Sequence, residues 1–227
     1  MKPDLTRRQL MSISAAAGAY VLLGCGDDEK SSSPTSTAAT STSTERVDCV
    51  LAPEQTEGPY YIDNDLLRRD ITDGKEGMPL ELRLKVLQAS SCEPIEKATV
   101  EVWHCDALGN YSGVNGQGGN FLRGGQRSAS NGEAAFRTIY PGWYQGRTTH
   151  IHVKVHVGTR EVHTGQLYFE DSANAAVYKQ SPYDSRGTPD TTNASDGIYE
   201  QGGQESTVAL TRRGNGYVGR LSLGVRA

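Results

Sequence analysis

The chain carries five histidines, and three of them fall in the run His150-Ile151-His152-Val153-Lys154-Val155-His156. On a strand, side chains two residues apart point to the same face, so His150 and His152 can reach one metal ion together. His156 shares their parity but lies roughly 13 Å beyond His152 at about 3.3 Å per residue, which puts it outside the same coordination sphere. A lone histidine is more often structural, and a His-x-His pair alone also serves zinc and copper, so the neighbours decide the metal. Zinc sites usually add a third His, a Cys or a carboxylate, whereas the polar residues just ahead of His150 are Tyr140, Tyr144 and Arg147. Tyrosine is abundant throughout, eleven residues against three Phe, which is more phenol than a core requires.

Such side chains need rigid elements beneath them. Leu80, Leu82, Leu84 and Val86 alternate with Glu81, Arg83 and Lys85, the period of a strand with one buried face. Ala98 to Trp103 repeats the habit, and Asn131-Gly132 marks a turn into a strand over Ala134 to Tyr140. Thr149 to Val157 and His163 to Phe169 are β-branched or aromatic in character. Thr207 to Arg212 and Tyr217 to Val225 flank Gly214-Asn215-Gly216 as a hairpin. With at most one brief helix near Ser172 to Lys179, the expected fold is all-β, an antiparallel β-sandwich or barrel, with the sandwich preferred. Asn110 to Gly125 and Ser181 to Gly203 are long for connectors and are expected to be functional loops.

Several spaced motifs then carry a family resemblance. Tyr140-Pro141-Gly142-Trp143-Tyr144 followed by Arg147-Thr148-Thr149-His150-Ile151-His152 resembles half of the ferric site of the intradiol ring-cleavage dioxygenases. Val102-Trp103-His104-Cys105-Asp106 with Gly109-Asn110-Tyr111 resembles the other half. The likeness extends to Thr164-Gly165-Gln166-Leu167-Tyr168-Phe169 and Gln55-Thr56-Glu57-Gly58-Pro59-Tyr60, so it covers roughly residues 48 to 200. It implies a ferric ion, Fe(3+), held by Tyr111, Tyr144, His150 and His152. Phenolate is a hard anionic donor that favours Fe(III), which supports that set. It implies further that Arg147 stabilises anionic character, that Gln166 lies beside Arg147, and that Tyr60 lines the substrate mouth. The implied reaction uses dioxygen to open a catechol between its two hydroxylated carbons, giving a muconate-type diacid. Trp143 and Thr148-Thr149 depart from the common family pattern and bear on substrate shape.

The N-terminal stretch is of a different kind. Thr6-Arg7-Arg8-Gln9-Leu10 leads into an apolar stretch from Met11 to Leu23 that is too short for a permanent membrane helix. Leu22-Leu23-Gly24-Cys25 resembles a lipobox and the paired arginines a twin-arginine signal. The expected organisation is a signal peptide over 1–24, a Ser/Thr-rich disordered tether over 25–47 and a dioxygenase sandwich over 48–227. The protein would then be exported and held to the membrane surface by a lipidated Cys25. Of the remaining cysteines, Cys49 and Cys92 lie by expected strand ends or loops and form the favoured disulfide, leaving Cys105 over; periodicity leaves the other pairings open. The formal charge of −4 with no basic stripe argues against nucleic acid as a partner. The sequence leaves the oligomeric state, a homo-oligomer included, open. Two other readings compete: a zinc or copper enzyme built on His150, His152 and His156, and a non-catalytic sandwich offering Tyr and Trp to carbohydrate.

Overall fold

The structure, a computed structural model, describes residues 49–227. The expected signal peptide, Cys25 and the tether lie outside the described residues. Eight strands run in chain order as β1 (Pro79–Gln88), β2 (Thr99–Trp103), β3 (Arg123–Arg127), β4 (Glu133–Ile139), β5 (His150–Val157), β6 (Arg160–Tyr168), β7 (Ala209–Arg213) and β8 (Gly216–Val225). One short helix, α1 (Asp171–Val177), follows β6, in the place the sequence reading gives it.

The strands form two four-stranded sheets, ordered β4-β1-β8-β7 and β3-β2-β5-β6. In the first, Leu80, Leu82, Leu84 and Val86 of β1 are essentially buried and Leu82 stands opposite Phe136 of β4. In the second, Val100 and Val102 of β2 and Ile151, Val153 and Val155 of β5 supply the facing layer. Interdigitation of these two inner faces gives the sandwich its core. The expected all-β sandwich is therefore found, with two differences. β1 and β8 pair in parallel, Leu80 against Tyr217 through Gln88 against Val225, so the sheets are not purely antiparallel. β3 is a strand where the sequence reading has the end of a glycine-rich loop. Its sequence, Arg-Gly-Gly-Gln-Arg, lacks an apolar alternation because the segment Leu66 to Ile71 lies across it. A side chain at Gly124 would come within 2.6 Å of Ile71 Cγ2, so only glycine allows that approach.

The second sheet is covered on both sides, which is why β5 is buried from His150 to Val155 despite its polar residues. Its inward residues meet the core; its outward ones, His150, His152 and Lys154, lie under loops. The segment from Pro53 to Ile62 crosses this outer face and is pinned there. Glu54 accepts from His163 Nδ1 at 2.9 Å and from Thr164 N at 3.2 Å, and Glu57 meets Lys154 Nζ at 2.7 Å. Cys49 and Cys92 are disulfide-bonded with Cα atoms 5.3 Å apart, and Cys105 is a free, buried thiol, as the favoured pairing requires.

Candidate active site

Strand register brings the site together. His150 and His152 project from the same face of β5, with His152 flanked by Trp103 of β2 and Gln166 of β6, and His150 paired with Tyr168. Their Nε2 atoms are 3.2 Å apart. The Nδ1 of His150 lies 2.7 Å from the Thr148 carbonyl, to which it donates, so its Nε2 presents a lone pair. Tyr144 Oη is 3.1 Å from that same Nε2. The Trp103 indole stacks on the His152 imidazole at 4.9 Å and an interplanar angle of 4°, fixing the ring plane.

Tyr111 and Tyr144 come from loops, and a glycine joins those loops. Gly142 donates its N–H to the Asp106 carbonyl, and a side chain there would lie 2.5 Å from the carbonyl oxygens of Asp106 and Ala107. The Trp103 to Tyr111 run thereby packs against the Tyr140 to Tyr144 run. The Tyr111 ring ends 5.9 Å from the Tyr144 ring and 6.2 Å from the His152 ring. Tyr60, carried by the pinned Pro53 to Ile62 segment, stacks on Tyr111 at 4.4 Å.

The electrostatics of this cluster are those of a dry donor set. Burial drives the His150 imidazole down to about 3 and that of His152 well below its usual value, so both are neutral. Burial raises the Tyr144 phenol to about 12 even though Arg147 pulls it down, and burial with the neighbouring Cys105 and Tyr144 raises Tyr111 well above its usual value. Tyr111 Oη and His152 Nδ1 are buried without a hydrogen-bond partner. Two neutral imidazoles and two phenols converging, with Tyr111 Oη unpartnered, can accept a cation, whose charge would reverse the rise on the phenols.

Arg147 is fixed alongside. Its Nε donates to Asp196 Oδ2 at 2.8 Å and its Nη2 to Gln166 Oε1 at 2.5 Å. Gln166 is held in turn by its own Nε2 on the Thr56 carbonyl at 2.9 Å. All seven sequence-selected residues, Tyr60, Tyr111, Tyr144, Arg147, His150, His152 and Gln166, thus form one cluster. His156 is not part of it: a register shift between Val155 and His156 precedes it, and its Nε2 faces Glu101 Oε1 at 3.3 Å. His104 is also elsewhere, bonded through its two ring nitrogens to the Cys105 carbonyl and to Thr138 Oγ1. Sequence reading gave no role to Asp196 or to the Trp103 ring. Trp103 was legible as part of a motif, but nothing in the Asp/Asn-rich stretch around Asp196 distinguished one acid from the others.

Comparison with known proteins gives the family and the fold. The dioxygenase family profile matches residues 53–180. A chlorocatechol 1,2-dioxygenase of Cupriavidus pinatubonensis is 30% identical over 138 residues, 50% of this chain and 53% of that protein. The chain thus spans about half the length of the curated relatives it matches. Among solved structures, an intradiol ring-cleavage dioxygenase from Tetranychus urticae superposes with a TM-score of 0.75 at 32% identity, over 78% of this chain and 94% of that one. The dioxygenase domain of a dioxygenase carbohydrate-binding protein fusion from Streptomyces sp. SirexAA-E gives 0.61 at 30% identity, over 77% and 97%. With a matched profile over more than half its length, this chain belongs to the intradiol ring-cleavage dioxygenase family.

Proposed function

We propose that this protein is a ferric dioxygenase that opens a catechol-type ring between its hydroxylated carbons, with Tyr111, Tyr144, His150 and His152 holding the metal. The observation that carries the reading is the convergence of two phenols and two neutral imidazoles, with Tyr111 Oη buried and unpartnered. Hard phenolate donors suit Fe(III) better than Zn(II), which separates this set from a histidine-only site. When bound, ferric iron would supply the Lewis acidity that ionises the catechol and the electron withdrawal that opens its ring to dioxygen.

The remaining steps belong to the chain. Tyr144 is the more exposed of the two phenols and would take up a proton at Oη as the substrate ionises. Arg147, with Nε and Nη2 engaged, would place its remaining N–H groups against negative charge developing on the ring, where a fixed cation acts without reorganising. Gln166 keeps the guanidinium in place, and the Tyr60 ring, stacked over Tyr111, shapes the mouth.

The location proposed with this activity is the cell envelope, with Cys25 lipidated on the membrane surface. Mass spectrometry of membrane-extracted protein should find an acylated N-terminal Cys25, and an unmodified N-terminus elsewhere would remove that part of the reading. For the activity, the absorption spectrum of iron-loaded protein before and after catechol under nitrogen is decisive. A tyrosinate-to-iron band that shifts on catechol addition, followed by dioxygen uptake on aeration, is the expected result. Absence of both rejects the proposal.

A further inference from the structure

The carboxylate that grips Arg147 comes from a segment to which neither the sequence patterns nor the family resemblance assign a role. Asp196 is 1% exposed and lies just after a short 3-10 turn, Asn193–Ser195, in the long connection between α1 and β7. Its two oxygens face different ways. Oδ1 accepts from the backbone N–H groups of Ile198 at 2.8 Å and Tyr199 at 3.1 Å, anchoring its own loop. Oδ2 accepts from Arg147 Nε and from the Thr148 N–H, both at 2.8 Å. All four partners are donors, so an ionised carboxylate satisfies the site and an amide would turn an NH2 group against two of them. Burying this charge costs free energy that the guanidinium and the three backbone donors offset.

The consequence concerns direction. With Nε bound to Asp196 and Nη2 bound to Gln166, both edges of the guanidinium toward the loop and β6 are committed. Nη1 makes no hydrogen bond to the described residues and, with the second N–H of Nη2, is left for substrate. The Thr148 N–H on the same carboxylate oxygen fixes the backbone from which Arg147 projects.

We propose that Asp196 is a positioning residue that aims the Arg147 guanidinium into the site, an inference resting on the activity proposed above. Kinetics of the full-length, iron-loaded protein supply one test. Asp196→Asn should lower kcat by about tenfold to a hundredfold while KM changes less than about threefold and iron per chain is retained. Because the effect runs through Arg147, adding Asp196→Asn to Arg147→Ala should change kcat by less than about twofold. A fully multiplicative loss in the double variant, or an unchanged kcat in the single one, overturns the proposal.

A second test needs neither iron nor turnover. In nitrogen-15 spectra of the full-length iron-free protein, the Arg147 Nε–H signal, identified by its loss in Arg147→Ala, should exchange with solvent far more slowly than those of exposed arginines. Asp196→Asn should speed that exchange at least about tenfold if it folds. An Arg147 Nε–H in the native protein that exchanges like an exposed one overturns the proposal whatever the variants do. Protein that protects this proton yet shows no catechol chemistry would instead reject the proposed function and keep the Asp196 clamp.

Discussion

At the scale of single residues, the proposed function assigns metal holding to the two phenols and two imidazoles and charge stabilisation to Arg147. Removing either imidazole takes away a neutral donor that burial has already prepared, so His150→Ala and His152→Ala should each lose most of the iron, as measured by metal analysis. Arg147 lies beside the proposed donors, bonded to Asp196 and Gln166. Arg147→Ala should keep iron and colour while lowering kcat by about a hundredfold, because a preorganised cation acts mainly on the transition state. His104 provides a pH prediction away from the donors. Burial holds its imidazole down at about 4, and its ring nitrogens are committed to the Cys105 carbonyl and Thr138. A depressed folded-state value means that its contribution to stability is full above the unfolded value near 6.5 and is lost as pH falls through about 4. Replacing His104 with Gln should therefore flatten the pH dependence of denaturant stability across that window, by on the order of 3 kcal/mol at most. An unchanged slope would show that His104 does not carry it.

At the scale of elements, the site depends on two loops meeting at Gly142. A methyl group there would strike the backbone oxygens of Asp106 and Ala107, which have no freedom to withdraw. Gly142→Ala should cost about 1 to 3 kcal/mol in denaturant melts and, by parting the loops that carry Tyr111 and Tyr144, weaken iron retention as well. The disulfide acts on a different element, joining the start of the described chain to the turn after β1 across 43 residues. Closing a loop of that length contributes about 4 kcal/mol in the chain-entropy estimate. Cys92→Ser should lower unfolding stability by roughly 2 to 4 kcal/mol without changing the visible band, since neither cysteine touches the donors.

At the scale of the molecule, one sheet serves two masters. Its inner face completes the sandwich core through Ile151, Val153 and Val155, while its outer face carries His150 and His152 beneath the Pro53 to Ile62 segment. Trp103→Leu probes that arrangement, because the indole both closes a small apolar cluster and stacks on His152. The variant should fold with a lowered melting temperature and an altered tyrosinate-to-iron band, whereas an unchanged spectrum would show that the stack does not orient the metal site.

Much of this was determined by local period and spacing. Alternation in Leu80 to Val86 marks a strand wherever it packs, and parity alone puts His150 and His152 on one face, because both follow from the two-residue repeat of extended backbone. The order of the tyrosine, arginine and histidine motifs was enough for the family. Tertiary structure decided what no local pattern encodes. β3 is a strand because it pairs with β2, with Ile71 and its neighbours lying over its glycines, and β1 meets β8 in parallel because the sandwich brings distant strands side by side. The register of β2 on β5 sets Trp103 against His152. The carboxylate holding Arg147 comes from 49 residues away, where sequence offers several acids and only the folded chain buries Asp196 against that guanidinium.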